Sequence, residues 1–133
     1  MGMDIKYILK NYKNIAVVGL SDKPDRYSYL VADYLLRNGY NIIPVNPNIE
    51  EWQGIKVYKN IKSIDRNIDV VDIFRKPEFI PEIVNEAIGK SKVIWMQEGI
   101  INDEAKDIAE KNNMYVIMDK CMKKEHEKLN KGN

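Results

Sequence analysis

The sequence predicts an open, doubly wound α/β fold: a parallel five-stranded sheet in the order 3-2-1-4-5, held between two layers of helices. Three observations lead there. Short, β-rich apolar runs recur at 14–19, 41–45, 69–74, 92–96 and 114–118, and such runs suit strands buried on both faces. Helical stretches separate most of them, and that alternation implies parallel βαβ units with right-handed crossovers. The first run, Ile15-Ala16-Val17-Val18, ends at Gly19 and feeds a polar loop and then a helix, so the backbone turns where it needs room.

Residues 3–12 carry Ile5, Ile8, Leu9 and Tyr12 on one face and predict a short helix capping the sheet. After the first strand, Leu30, Val31, Tyr34 and Leu35 recur at helical spacing over 28–38, and Gly39 stops that helix. In the second strand, 41–45, Pro44 cannot donate to a ladder, which puts either the strand near an edge of the sheet or the proline close to the strand's end. Residues 48–68 hold no sustained period; Gly54 marks a turn and Lys56-Val57-Tyr58 offers a brief pairing. A connection of that length carries structure of its own or a function. The third strand, 69–74, is followed by Pro77 and Pro81, which fit a helix's first turn. Ile80, Ile83, Val84, Ala87 and Ile88 form that helix's apolar face, and Gly89 ends it. The fourth strand, 92–96, leads to Asn102, an N-cap with Asp103 and Glu104 in the first turn behind it. The fifth, 114–118, precedes a lysine-rich tail that reads as a last short helix. Trp52 reads as an anchor for its loop, the other reading being an exposed partner contact; Trp95, Met96, Met114 and Met118 are expected in the core.

At 133 residues and 44% hydrophobic content the chain suffices for one domain, 1–133, with a packed core. Lys plus Arg number 21 against 20 Asp plus Glu, which lacks the basic excess of a general nucleic-acid binder. A single cysteine, Cys121, excludes an internal disulfide and a thiolate metal cluster. No apolar run approaches a membrane span. The opening MGMDIKYILKNYKN has no apolar signal core, and Met1-Gly2 lacks the Ser/Thr of the myristoylation pattern. A cytoplasmic protein that binds neither nucleic acid nor membrane is expected, with a protein partner or a homodimer left open.

Ligands of doubly wound sheets lie at the carboxyl ends of the strands, beside the point where strand order reverses. The loops gathered there are 19–28, 46–48, 74–77, 97–102 and 119–121. The dinucleotide fingerprint fails: Gly19-Leu20-Ser21-Asp22-Lys23-Pro24 keeps only the first glycine, and strand two ends in Asn46-Pro47 rather than an acid. A nicotinamide oxidoreductase and a phosphate-loop enzyme are therefore set aside. Ser21, Lys23, Arg26 and Ser28 still put hydroxyls and charge at a helix mouth, where an anion is favoured. Asp22 and Asp25 offset that charge and equally allow an ordinary solvated loop. Phe74-Arg75-Lys76 follows the third strand; an aromatic can cover a purine and a guanidinium can grip phosphate bidentately. The alternative is a core Phe74 rimmed by cations. Phosphate and purine at one edge suggest a nucleotide-containing ligand.

The segments IAVVGLSDKPDRYSYLVADYL (15–35), IIPVNP (42–47), VVDIFRKP (70–77), VIWMQEGI (93–100) and VIMDKC (116–121) together resemble the small stand-alone CoA-binding protein family. That family is similar to the N-terminal CoA-binding domain of succinyl-CoA synthetase α subunits, and the resemblance covers about residues 10–128. It implies a Rossmann-like site for CoA or an acyl-CoA. Gly19, Ser21, Lys23, Arg26 and Ser28 would meet the phosphates, Asn46 and Pro47 would line the cleft, and Phe74, Arg75 and Lys76 would lie near the adenosine. Gln97, Glu98 and Gly99 occupy the loop similar to the synthetase's Glu-Gly. Asp22, Lys23 and Pro24 replace the synthetase's later glycines in the first loop. Nothing in the sequence resembles the synthetase's phosphorylatable histidine, since His126 lies in the lysine-rich tail, so ligase chemistry is not carried over.

Cys121 stands at the same carboxyl edge. Lys120, Lys123, Lys124 or a helix N-terminus could favour its thiolate, and a mixed disulfide with CoA would follow from thiol–disulfide exchange. The other reading is a small buried residue with inert sulfur. His126 is expected to be solvated. The chain reads as a non-enzymatic binder of CoA or acyl-CoA. The alternatives are a CoA-dependent ligase or transferase subunit that needs a partner, and a regulatory module that senses adenine nucleotides.

Overall fold

A computed structural model describes residues 3–131; the Met1-Gly2 start, read above against myristoylation, lies outside them. The elements run α1 (Ile5–Asn11), β1 (Asn14–Val18), α2 (Tyr27–Arg37), β2 (Asn41–Val45), β3 (Glu51–Trp52), β4 (Ile55–Lys56), β5 (Val70–Ile73), α3 (Ile80–Ala87), β6 (Val93–Met96), α4 (Asp103–Lys111), β7 (Tyr115–Ile117) and α5 (Met122–Lys131). Short 3-10 turns occupy Ile61–Ser63 and Pro77–Phe79.

β1, β2, β5, β6 and β7 form one parallel sheet in the order β2-β1-β5-β6-β7. Alternate side chains divide between two layers. Ile15 and Val17 of β1 join Trp95 and the buried faces of α1, α2 and α5. Ala16 and Val18 join Val71, Ile73 and the buried faces of α3 and α4. The result is the expected Rossmann-like, three-layer α/β architecture.

The strand order needs one correction. The strand at 70–73 was expected beyond strand two, yet it pairs with β1, Ile15 opposite Val70 through Val18 opposite Ile73. The outer side of β2 is taken by a single parallel bridge from Val45 to Tyr58. The 3-2-1-4-5 pattern is kept when that bridge counts as its outermost position, with β5 and β6 in the fourth and fifth places. The chain thus leaves β1 on one side, goes to β2 and returns past β1 to β5. This puts the switch point between the carboxyl ends of β1 and β5.

Four smaller differences concern which face is buried. Helix α2 turns Ser28, Val31, Ala32 and Leu35 inward, leaving Leu30 49% exposed and Tyr34 against α5 through His126. In α3 the buried set is Ile80, Val84 and Ala87; Ile83 is half-buried and Ile88 is exposed beyond the helix end. Met118 packs half-buried against the core rather than within it. His126 is half-buried rather than fully solvated: its ring lies edge-on against both Tyr34 and Tyr40.

Candidate ligand site at the carboxyl edge

The site is built around the end of β1. Gly19 has φ +86°, and a Cβ placed there would stand 2.6 Å from the Phe74 carbonyl oxygen and 3.0 Å from Arg75 Cδ. Only glycine lets the first loop cross so close to the loop after β5. Phe74 N–H donates to the Val18 carbonyl at 2.9 Å and Gly19 N–H to the Val45 carbonyl at 3.0 Å, so three strand ends are tied together at the switch point.

Beside this junction, on the α3 side, a crevice of about 200 Å³ is lined by Gly19, Pro47, Lys59, Asn60, Arg75 and Phe79, among others. Arg75 lays its guanidinium over the Phe79 ring, 4.5 Å from the centroid, which offers a cation and an aromatic surface together. Asn46 braces the wall: its Nδ2 donates to the Leu20 carbonyl at 2.9 Å and its Oδ1 accepts from Asn48 N–H at 2.8 Å. Lys76 is exposed on the rim, just ahead of the Pro77–Phe79 turn. Lys59, Asn60 and Phe79 were missed from sequence. They come from the aperiodic 48–68 segment and from a turn preceding a helix, and no local pattern announces that either folds over the edge.

The α2 mouth carries Ser21, Lys23, Arg26 and Ser28. Ser28 is buried, and its Oγ accepts from Ser21 N–H at 3.0 Å; Ser21 Oγ in turn accepts from Lys23 N–H at 3.0 Å. The two hydroxyls therefore shape the loop. Lys23 and Arg26 are exposed, and no side chain caps α2, whose N-cap is Arg26. Its first-turn N–H groups and dipole end are the anion-favouring part of this loop.

The remaining predicted residues lie on the α2/α5 side. Gln97 is buried; its Oε1 accepts from Met122 N–H at 3.2 Å while its Nε2 has no partner among the described residues. Gly99 N–H donates to Asp119 Oδ1 at 2.6 Å, and Glu98 is paired with Lys124 at 2.8 Å. That carboxylate holds the Lys124 ammonium above its ordinary range. Cys121 is 2% exposed and its Sγ accepts from the Tyr27 hydroxyl at 2.6 Å. Burial, then the Cys121 contact, pushes the Tyr27 phenol up, with Glu98 and Asp72 adding in the same direction. Phe74 is half-buried and meets Tyr27 edge-on, with centroids 6.2 Å apart.

Asp72 was not singled out from sequence. It lies in β5, the middle strand, between Val17 and Trp95. It is fully buried with neither carboxylate oxygen hydrogen-bonded, and burial holds its acid well above the usual carboxylate range. The signal available was an acid inside an otherwise apolar strand, DVVDIF. Among the described residues no cluster of three His, Cys, Asp or Glu could hold a metal ion, and no helix is long and apolar enough to cross a membrane.

Comparison with known proteins agrees with this geometry. A sequence profile described as a CoA binding domain matches residues 13–127. An uncharacterized Bacillus subtilis protein, YneT, is 44% identical over 124 residues, covering 92% of each chain. The α subunit of acetate–CoA ligase (ADP-forming) II from Pyrococcus furiosus is 31% identical over 84% of this chain, which spans only 27% of that subunit. The solved structure of a hypothetical protein from Pyrococcus horikoshii OT3 superposes with a TM-score of 0.91 at 44% identity, covering 94% of this chain and 89% of its own. A match running from just before β1 into α5 takes in every loop of the edge described above, and by it the chain belongs to the CoA binding domain family.

Proposed function

We propose that this protein binds coenzyme A or an acyl-CoA at the carboxyl edge without catalysing a reaction of its own, as one domain in the cytoplasm. The observation that supports the reading is the Gly19 junction: a close crossing of two strand-end loops that a Cβ would block, with the Arg75–Phe79 crevice on one side and the uncapped start of α2 on the other. The adenosine would be held by Arg75, Phe79 and Pro47, with Lys76 at the rim. The phosphates would be met by the loop from Gly19 to Ser28 with Lys23 and Arg26. The thiol end would lie toward Gln97, Glu98, Gly99 and Cys121. Calorimetric titration of reduced protein with CoA, ADP and NAD tests this. The expected result is binding of CoA in clear preference to both others; equal affinity for ADP would replace the reading with an adenine-nucleotide sensor, and no binding of CoA would end it.

The position of Cys121 supports one refinement. Its thiolate would attack a sulfur of CoA disulfide, forming the Cys121–CoA bond as the old S–S bond breaks and one CoA leaves as thiolate to take up the displaced proton. The Tyr27 hydroxyl at Sγ marks the contact that must open first. Incubation with CoA disulfide followed by non-reducing mass spectrometry should give a CoA-sized adduct that a reductant removes; an unmodified chain would show Cys121 to be inert.

The likeness to acetate–CoA ligase α subunits favours a second reading, a ligand-binding subunit that works with a separate partner. It requires CoA turnover to appear only when such a partner is added.

A further inference from the structure

A second cavity, of about 360 Å³, lies far from the crevice, where α1 and α5 meet beside the start of β1. Its lining includes Lys6 and Lys10 from α1, Lys13 from the link to β1, and His126, Lys128 and Asn130 from α5. No carboxylate lines it. The nearest acids on α5 are engaged on their own helix: Glu125 with Lys128 at 3.1 Å and Glu127 with Lys123 at 3.2 Å. Among the described residues Lys6 and Lys10 have no acidic partner, while Lys13 donates to the Leu9 carbonyl at 3.2 Å and stands over the Tyr40 ring. The whole chain carries a net charge of only +1, so Lys6, Lys10 and Lys13 around one concave site are a local concentration of charge, while Lys128, the fourth lysine of the lining, is paired with Glu125. A concave wall focuses such a field on a small anion.

We propose that this cavity is a binding site for a small, multiply charged oxyanion, a phosphate or pyrophosphate group, at the opposite end of the sheet from the crevice. Ammonium groups grip phosphate as point charges from several directions. The Asn130 amide nitrogen, which lies 3.4 Å from His126 Nδ1, has a second N–H to offer, and His126, whose Nδ1 also meets the Tyr34 hydroxyl at 2.7 Å, keeps its other ring nitrogen. The competing account is that these lysines only complement helix ends, since Lys10 lies in the last turn of α1 and Lys128 in that of α5.

The chain supplies its own reporter. His126 is the single histidine, and burial, then Lys13, holds its imidazole below the ordinary range, with Glu127 opposing. Tyr34, Tyr40 and Lys128 complete the groups around it. A bound dianion would offset Lys13 and raise the imidazole titration. The experiment follows the His126 ring resonances of the full chain by NMR as pyrophosphate is added, against sodium chloride at equal ionic strength. The expected result is a saturable upward shift of the His126 titration with pyrophosphate alone. The double variant Lys6→Gln/Lys10→Gln should lose about tenfold or more in pyrophosphate affinity while binding CoA as before, and Arg75→Ala should leave the His126 response intact. An identical shift with chloride would overturn the proposal. So would a double variant that loses thermal stability but keeps its pyrophosphate affinity, which would assign the lysines to the helix ends.

Discussion

Gly19 and Asp72 show what single residues contribute at this edge. At Gly19 the positive φ and the 2.6 Å approach to the Phe74 carbonyl act together. Gly19→Ala must relieve both, so it should cost more than about 2 kcal/mol in a urea unfolding curve, through a backbone shift that also opens the switch-point crevice. Asp72 works in the other direction. Its folded-state pKa is raised by burial, so the native state holds the proton while the unfolded chain gives it up near pH 4. The favourable contribution is therefore fully present below about pH 4 and is lost as pH rises through the folded value. Asp72→Asn keeps the shape and removes that slope. Its melting temperature should exceed wild type at pH 8, by roughly 4 °C for each kcal/mol recovered, and the gain should vanish near pH 4. A pH-independent difference would mean that Asp72 is not held protonated. The acid was visible in the sequence, but its isolation from every partner was not, because that depends on which side chains two other strands and a helix bring against it.

Among the elements, the β3–β4 hairpin decides most about the long second connection. Its two-residue turn uses Gln53 at φ 50° and Gly54 at φ 79°, the pair of positive angles that a tight hairpin of right-twisted strands requires. The hairpin points Trp52 into the α2 layer, edge-on to Tyr29 at 5.2 Å. With Trp52 1% exposed, Trp52→Ala should cost about 3–5 kcal/mol in chemical denaturation; a loss below about 1 kcal/mol would show that the hairpin is not anchored by this ring. The Gly54 turn and the Trp52 anchor were legible in the sequence. The fold-back of 59–61 over the edge was not, since it follows from where the hairpin lands. Helix α2 teaches the same lesson: its helical spacing was evident, yet its inward face takes in the small residues Ser28 and Ala32 and leaves Leu30 outside.

The molecule as a whole places five separate loops at one edge. If CoA occupies that edge, it stabilises the fold by mass action, about 2.7 kcal/mol when present at a hundred times its Kd. A thermal melt with CoA should therefore rise by several degrees, and Arg75→Ala, with its own melt near wild type, should lose most of that rise. An undiminished rise would remove Arg75 from the site.

By itself the sequence determined the α/β alternation, the strands and helices, the glycine turn and the family to which the chain belongs, because hydrophobic period, turn chemistry and helix caps are local and repeat within a few residues. Tertiary structure alone decided that β5 joins β1 rather than lying beyond β2, that Lys59, Asn60 and Phe79 enter the crevice, that Tyr27 meets Cys121, and that His126 is packed between two tyrosines. These depend on chain segments tens of residues apart arriving at one place. Their separation in space is set by how buried faces fit together, which no local pattern encodes.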